Sequence, residues 1–140
     1  MYQRTYRVKG EDVNDFMIMQ NSAFLKYASQ LLETFLFENG FTKKKLNAEK
    51  IGFDFKYDHL SNYKSLIFTN QFKINLLFKS LEKNNHKMNV DFHFYNDNNE
   101  LVVKLERTLF WFDYETLKNI LPPLKIQSYF KTNDFFKRAS

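Results

Sequence analysis

The spacing of apolar residues changes character along this chain, and the changes mark out its elements. From Tyr2 to Lys9, Tyr2, Tyr6 and Val8 fall on one side while Gln3, Thr5 and Arg7 fall on the other, which predicts a short strand. Gly10 to Gln20 has no clean period and reads as a loop or irregular turn. From Asn21 onward the apolar positions recur every three or four residues. Phe24, Ala28, Leu31 and Phe35 form one stripe, Leu25, Leu32 and Leu36 lie beside it, and only Lys26, Gln30 and Glu33 make a polar face. This pattern predicts a long, mostly buried helix. Asn21 or Ser22 supplies a capping side chain, and Asn39-Gly40 supplies a left-handed stop just after Glu38.

Thr42 to Glu49 is basic and reads as a linker, after which the period falls to two. Ile51, Phe53, Phe55 and Tyr57 alternate with polar residues, as do Phe72, Ile74, Leu76 and Phe78, and then Val90, Phe92 and Phe94. Each is a strand with one wet face. Glu82 to His86 and Asn96 to Asn99 are hairpin turns, rich in residues that tolerate left-handed backbone. Leu101 to Asp113 is apolar in part on both faces and belongs inside the sheet. Pro122-Pro123 ends the regular structure, leaving a basic, aromatic tail from Lys125 to Ser140 that frays or forms a short helix.

One helix cannot cover a flat sheet of about five strands, but a sheet curled round that helix buries it. The expected class is therefore α+β: a single domain over 1–140, with its core in 2–124 and a tail at 125–140. At 140 residues with 44% hydrophobic content, 17 Phe and 8 Tyr, the chain has ample material for a core and is not disordered. Cysteine is absent, which excludes disulfides, thiolate metal sites and a cysteine nucleophile. The start of the chain has no signal-peptide run and no stretch is apolar enough to span a bilayer, so the expected setting is the cytoplasm, with no membrane partner. The net charge of +5 comes from scattered lysines beside frequent Asn, Ile and Phe, and solvated surface is favoured over nucleic-acid binding.

The segment Val8-Lys9-Gly10-Glu11-Asp12-Val13-Asn14-Asp15-Phe16, continuing through Met19-Gln20-Asn21-Ser22-Ala23-Phe24-Leu25-Lys26-Tyr27, resembles the opening of the hotdog-fold acyl-CoA thioesterases of the 4-hydroxybenzoyl-CoA type. In that family a strand runs into a D-x-D loop, a glycine turn follows, and an N-x-x-Y/F-L-x-Y-like segment starts the central helix. Ser65-Leu66-Ile67-Phe68-Thr69-Asn70-Gln71-Phe72 resembles the family's P-L-x-Y-G-D-x-L. Leu109-Phe110-Trp111-Phe112-Asp113 parallels its closing V-x-V-D strand, and Glu115-Thr116-Leu117 its E-T-G turn. The resemblance covers residues 2 to about 124 and implies the hotdog fold, an antiparallel sheet wrapped round one long central helix.

It also implies an activity: hydrolysis of a fatty or aromatic acyl-CoA thioester, with coenzyme A as part of the substrate and no other cofactor. In the family the second Asp of D-x-D activates water or attacks the acyl carbon, and a backbone N–H at the helix start stabilises the oxyanion. Carried across, the first Asp is Asp12, the second position holds Asn14, and the helix-start position is Asn21. Asn14 is neutral and cannot be a strong base, though it can orient water or polarise a carbonyl. Asp15 and Asp12 flank it as alternative carboxylates, and Glu33 on the helix is a further candidate, since some hotdog enzymes use a helix acid. Read without the family, Asp12, Asn14 and Asp15 also make an ordinary turn, and Glu33 an ordinary solvated residue. Met17 takes the place of the motif glycine, and Ile18-Met19-Gln20 that of a more polar run, which makes the expected pocket apolar. His59, His86 and His93 are dispersed and support neither a triad nor a metal site. A homodimer or homotetramer is expected, joined through the edge strand near Phe53 to Tyr57. Two other readings remain: a hotdog protein that binds an acyl group without cleaving it, and a basic interaction module using the lysines and the aromatic tail.

Overall fold

The computed structural model of the chain describes residues 2–130. β1 (Tyr2–Arg7) leads through a 3-10 turn (Gly10–Asp12) to α1 (Asn21–Glu38), and α2 (Lys43–Glu49) follows. Then come β2 (Ile51–Asn62), β3 (Gln71–Glu82), β4 (Lys87–Asn96), β5 (Leu101–Asp113) and the two-residue β6 (Asn119–Ile120). Every pairing is antiparallel, in the order β1-β3-β4-β5-β2, with β6 on β5. This is the hotdog arrangement, and β5 lies inside the sheet as its two apolar faces require.

At 18 residues, α1 is about 27 Å long, enough to cross the sheet. Its buried residues include the whole expected stripe together with Ala23 and Tyr27, while Lys26, Gln30 and Glu33 are exposed. The alternation in β3 and β4 turns Phe72, Phe78 and Phe94 towards this helix. Tyr27 meets Phe72 with ring centroids 5.2 Å apart, Phe24 meets Phe94 at 5.0 Å, and Phe35 meets Phe78 at 5.0 Å. The helix ends as its sequence predicts. Gly40 takes φ 90, its N–H donates to Phe37 O, and Phe41 N–H donates to Leu36 O, with the Leu36 and Phe41 side chains both buried. His86 (φ 62) and Asn99 (φ 61) supply the left-handed residues of the two hairpin turns.

Several boundaries differ from the sequence expectation. The helix cap is Gln20, with Asn21 already the first helical residue, because the backbone enters α1 straight from a paired segment. Thr42–Glu49 is not a linker: the Thr42 side chain accepts from Lys45 N–H and Leu46 is buried, and together these hold α2. β2 runs past Tyr57 to Asn62 through a bulge between Phe55 and Tyr57, which breaks the alternation that marks its first half. The core does not stop at residue 124. Residues 124–130 are helical, and Ile126 and Phe130 are buried, with Tyr129 stacked on Phe78 at 4.9 Å and its hydroxyl donating to Asn39. The remainder of the expected tail, including Phe135-Phe136, lies outside the described residues. Among the described residues no helix is long and apolar enough to cross a membrane.

Candidate active site

The segment between β1 and α1, aperiodic in sequence, folds as a small hairpin. Val13 bridges Met19, Asn14 N–H donates to Ile18 O at 3.0 Å, and Gln20 N–H donates to Asp12 O at 2.9 Å. The tip closes with Met17 N–H on Asn14 O (3.0 Å) and Met17 in left-handed backbone at φ 64. A second loop zips on alongside: Ile18 bridges Ile67, Met19 N–H donates to Leu66 O and Phe68 N–H donates to Met17 O. Met19 and Leu66 point into the core, so Ile18 and Ile67 between them point out.

Asp12 anchors this hairpin to the helix. Its carboxylate is buried and accepts from Lys9 N–H (2.9 Å) and from the Tyr27 hydroxyl (2.6 Å), and Lys26 Nζ reaches it at 3.3 Å. Burial pushes the Asp12 pKa up, but the bonds from Tyr27, Lys9 and Lys26 outweigh it and hold the pKa below the ordinary carboxylate value. The Tyr27 hydroxyl is pushed up, first by burial and then by its bond to Asp12. Both oxygens of Asp12 are therefore occupied in joining β1, the hairpin and the second turn of α1.

Asn14 stands at the outer face of the tip, where its Oδ1 accepts from Phe16 N–H (2.9 Å) and Ile18 N–H (3.1 Å). The amide oxygen thus shapes the turn, and Nδ2 is left as a donor. Asp15 follows at the exposed tip. Asn21 opens α1, whose N-cap makes no side-chain hydrogen bond, so the N–H groups of Asn21 and Ser22 and the positive end of the helix dipole stay available, while Ala23 N–H donates to Gln20 O. The bond from Gln20 N–H to Asp12 O thus joins the base of the hairpin to the helix start. Glu33 is not part of this group. It lies about 18 Å further along the helix and lines a cavity of about 760 Å3 with Gln30, Thr34, Phe37, Lys43 and Phe53.

An ion pair built on a buried arginine, not foreseen from sequence, links sheet and helix. Arg107 is 3% exposed and turned towards α1. Its Nε and Nη2 donate to Asp58 at 2.8 and 3.1 Å, Nη1 donates to Ser29 Oγ at 3.0 Å, and the guanidinium lies 3.9 Å from the Phe55 ring centroid. A signal for it exists in the chain, since Arg107 interrupts the inward series Val103, Leu105, Leu109 and Trp111. Asp58 gives no such signal, because the β2 bulge reverses which face it occupies.

Residues 8–130 match the family model of the thioesterase-like superfamily, and the chain belongs to that superfamily. Solved structures share its fold across nearly its whole length. A Staphylococcus aureus protein, SAV2348, solved in complex with CoA, superposes with a TM-score of 0.84 at 14% identity, covering 93% of this chain and 84% of its own. The gentisyl-coenzyme A thioesterase BH1999 gives 0.76 at 20% identity, with 89% and 98% covered. A 1,4-dihydroxy-2-naphthoyl-CoA thioesterase from Synechocystis gives 0.82 at 11% identity, with 95% and 97% covered. No curated protein sequence matches the chain.

Proposed function

We propose that this protein is an acyl-CoA thioesterase working as a homodimer or homotetramer. The observation that carries the proposal is an α1 amino end without a side-chain cap, joined through the paired segment 18–20 to a hairpin whose tip bears Asn14 and Asp15. The thioester carbonyl oxygen is set on the first-turn N–H groups at Asn21 and Ser22, where charge developing on oxygen is stabilised. Asn14 Nδ2 donates to the carbonyl or to the attacking water, and Asp15 takes the proton that water releases. The water oxygen bonds to the acyl carbon, the C–S bond breaks, and the sulfur leaves as coenzyme A thiol after accepting a proton. Asp12 acts through the hairpin as a positioning residue. Acyl-CoA as ligand is further supported by superfamily membership and by the neighbour solved with CoA.

The test is release of free thiol from a panel of acyl-CoAs. Asn14→Asp is expected to retain or raise turnover, because it places a carboxylate at the motif position. Asn14→Ala is expected to lower turnover by about two to four powers of ten with the circular dichroism spectrum unchanged. Unchanged turnover in Asn14→Ala together with its loss in Glu33→Gln would move the site to the helix.

One observation favours a second reading, an acyl-binding protein without turnover: the Asn14 oxygen is committed to two backbone N–H groups and cannot serve as a base. Absence of thiol release by the wild type and by Asn14→Asp, alongside measurable acyl-CoA binding, selects that reading.

A further inference from the structure

We infer that the outer face of the sheet carries an acid-sensitive clasp. Asp91, His93 and Tyr95 of β4, flanked by Lys79 of β3 and Lys104 of β5, hold the three middle strands together while His93 is uncharged, and loosen when it takes up a proton. This device stands apart from the candidate active site.

The strand pattern puts the group together. Phe92 and Phe94 point into the core, so Asp91, His93 and Tyr95 point the other way from the middle strand of the sheet. The register sets Asp91 between Leu77 and Glu106, and His93 between Asn75 and Lys104. An outer sheet face is commonly solvated, yet Asp91 is only 3% exposed. Its Oδ2 lies 3.7 Å from His93 Nε2 and 3.6 Å from Lys79 Nζ, and the Tyr95 hydroxyl reaches His93 Nδ1 at 3.5 Å. Asp91 Oδ2, His93 Nε2 and Asn75 Oδ1 are buried and make no hydrogen bond among the described residues. Unsatisfied polar atoms at neighbouring positions are costly, so the charges around them decide which protonation state the fold keeps.

Those charges balance when His93 is neutral. Lys79 and Lys104 offset Asp91 and Glu106, with Lys104 Nζ 3.1 Å from Glu106. On β2, His59 stands opposite Glu106, and Tyr57 lines the same outer-face cavity as Asp91 and Glu106. On β3, Lys73 stands opposite Tyr95 and donates to Asn99. The β1 residue opposite Asn75 is the uncharged Gln3. A proton on His93 would leave one positive charge in excess, on a half-buried ring with a lysine on the strand to either side. Burial resists that charge most. Asp91 favours it, Lys104 and Lys79 oppose it, and the balance holds the His93 pKa below the ordinary imidazole value. The folded chain therefore holds this proton less tightly than the unfolded chain. The contribution to stability is full above the unfolded value of about 6.5, falls as pH drops below it, and levels off once the folded imidazole is also charged.

Titration of the imidazole resonances of the full chain tests this, with the His93 signal assigned by its loss in His93→Gln. The His93 midpoint is expected below that of the imidazoles in the urea-unfolded chain. It should fall further in Asp91→Asn, which removes the attraction, and rise in Lys104→Met, which removes a repulsion. In parallel, the urea midpoint of unfolding is followed from about pH 7.5 to about pH 5, and the wild type should lose more over this range than His93→Gln. A His93 midpoint at or above the unfolded reference overturns the inference. So does an acid loss of stability that His93→Gln leaves unchanged. Shifts of the same sign in Asp91→Asn and Lys104→Met overturn it as well, because the flanking charges would then not act on the ring.

Discussion

Met17 (φ 64), Thr69 (φ 74) and Leu117 (φ 58) hold left-handed backbone, and each stands where the resembled motifs carry glycine. A side chain in this region crowds its own backbone by about 1–2 kcal/mol, and a β-branched residue such as Thr69 is the least suited to it. The fold imposes the conformation through bonds made nearby: Phe68 N–H to Met17 O, Thr69 N–H to Val8 O, and Leu117 N–H to Asp113 O. Single changes to glycine at these positions should raise stability, each by up to about 1 kcal/mol once the greater freedom of unfolded glycine is counted. Urea midpoints would show it, and a fall at all three would mean that the side chains contribute more than the strain removes. Asp12 gives a prediction in pH. Its folded pKa lies below its unfolded one, so its contribution is present above the unfolded value of about 4 and is lost as pH falls through the folded value. Asp12→Asn should cost roughly 1–3 kcal/mol near pH 6, and the gap to wild type should narrow by pH 3. A gap independent of pH would show that the carboxylate charge does not matter there.

Among the elements, β2 does the least expected thing. Its bulge at Lys56 lets Phe53 and Phe55 face the core before it and Asp58 and Leu60 after it, opposite Arg107 and Leu105. A charge on the inner face is costly unless it is paired, and Arg107 satisfies three of its donors within the fold, two on Asp58 and one on Ser29. Asp58→Ala should therefore destabilise by about 1–3 kcal/mol, less than for a fully enclosed pair because 32% of the Asp58 side chain is open to solvent. Adding Arg107→Met should recover much of that loss, since it removes the stranded charge. A double-mutant cycle by denaturant unfolding measures this, and strictly additive losses would mean that the two side chains do not act as a pair.

At the scale of the molecule the sheet is closed at one place and open at another. The helix at 124–130 packs Tyr129 and Phe130 on Phe78 and covers one end of the core. β2 is an edge strand bonded only to β5 within the described residues, with Tyr57 exposed on it. A long edge of this kind invites pairing with another copy. Sedimentation at micromolar concentration is expected to show a dimer or tetramer, and a stably folded monomer would overturn the proposed assembly.

The long helix, its Gly40 stop, the alternation of β3 and β4 and the two hairpin turns were all legible in the chain, because each depends on residues close in sequence. A helix stripe repeats every three or four positions and a strand every two, and a left-handed turn needs only its own Gly, Asn or His. The order of elements was enough to suggest a sheet curled round one helix. Contacts between distant segments decided the rest. No local pattern marked the 10–20 segment as a hairpin, since its pairing partners include Leu66, Ile67 and Phe68, more than forty residues away. The β2 bulge hid Asp58, because period two cannot be followed across an inserted residue. Asp12 and Asn14 were visible as candidate polar groups, but only the packed structure separated them: Tyr27, Lys9 and Lys26 enclose Asp12, whereas Asn14 keeps a free amide donor at the exposed tip. Residue type shows what a side chain can do, and burial with long-range partners settles what it is left free to do.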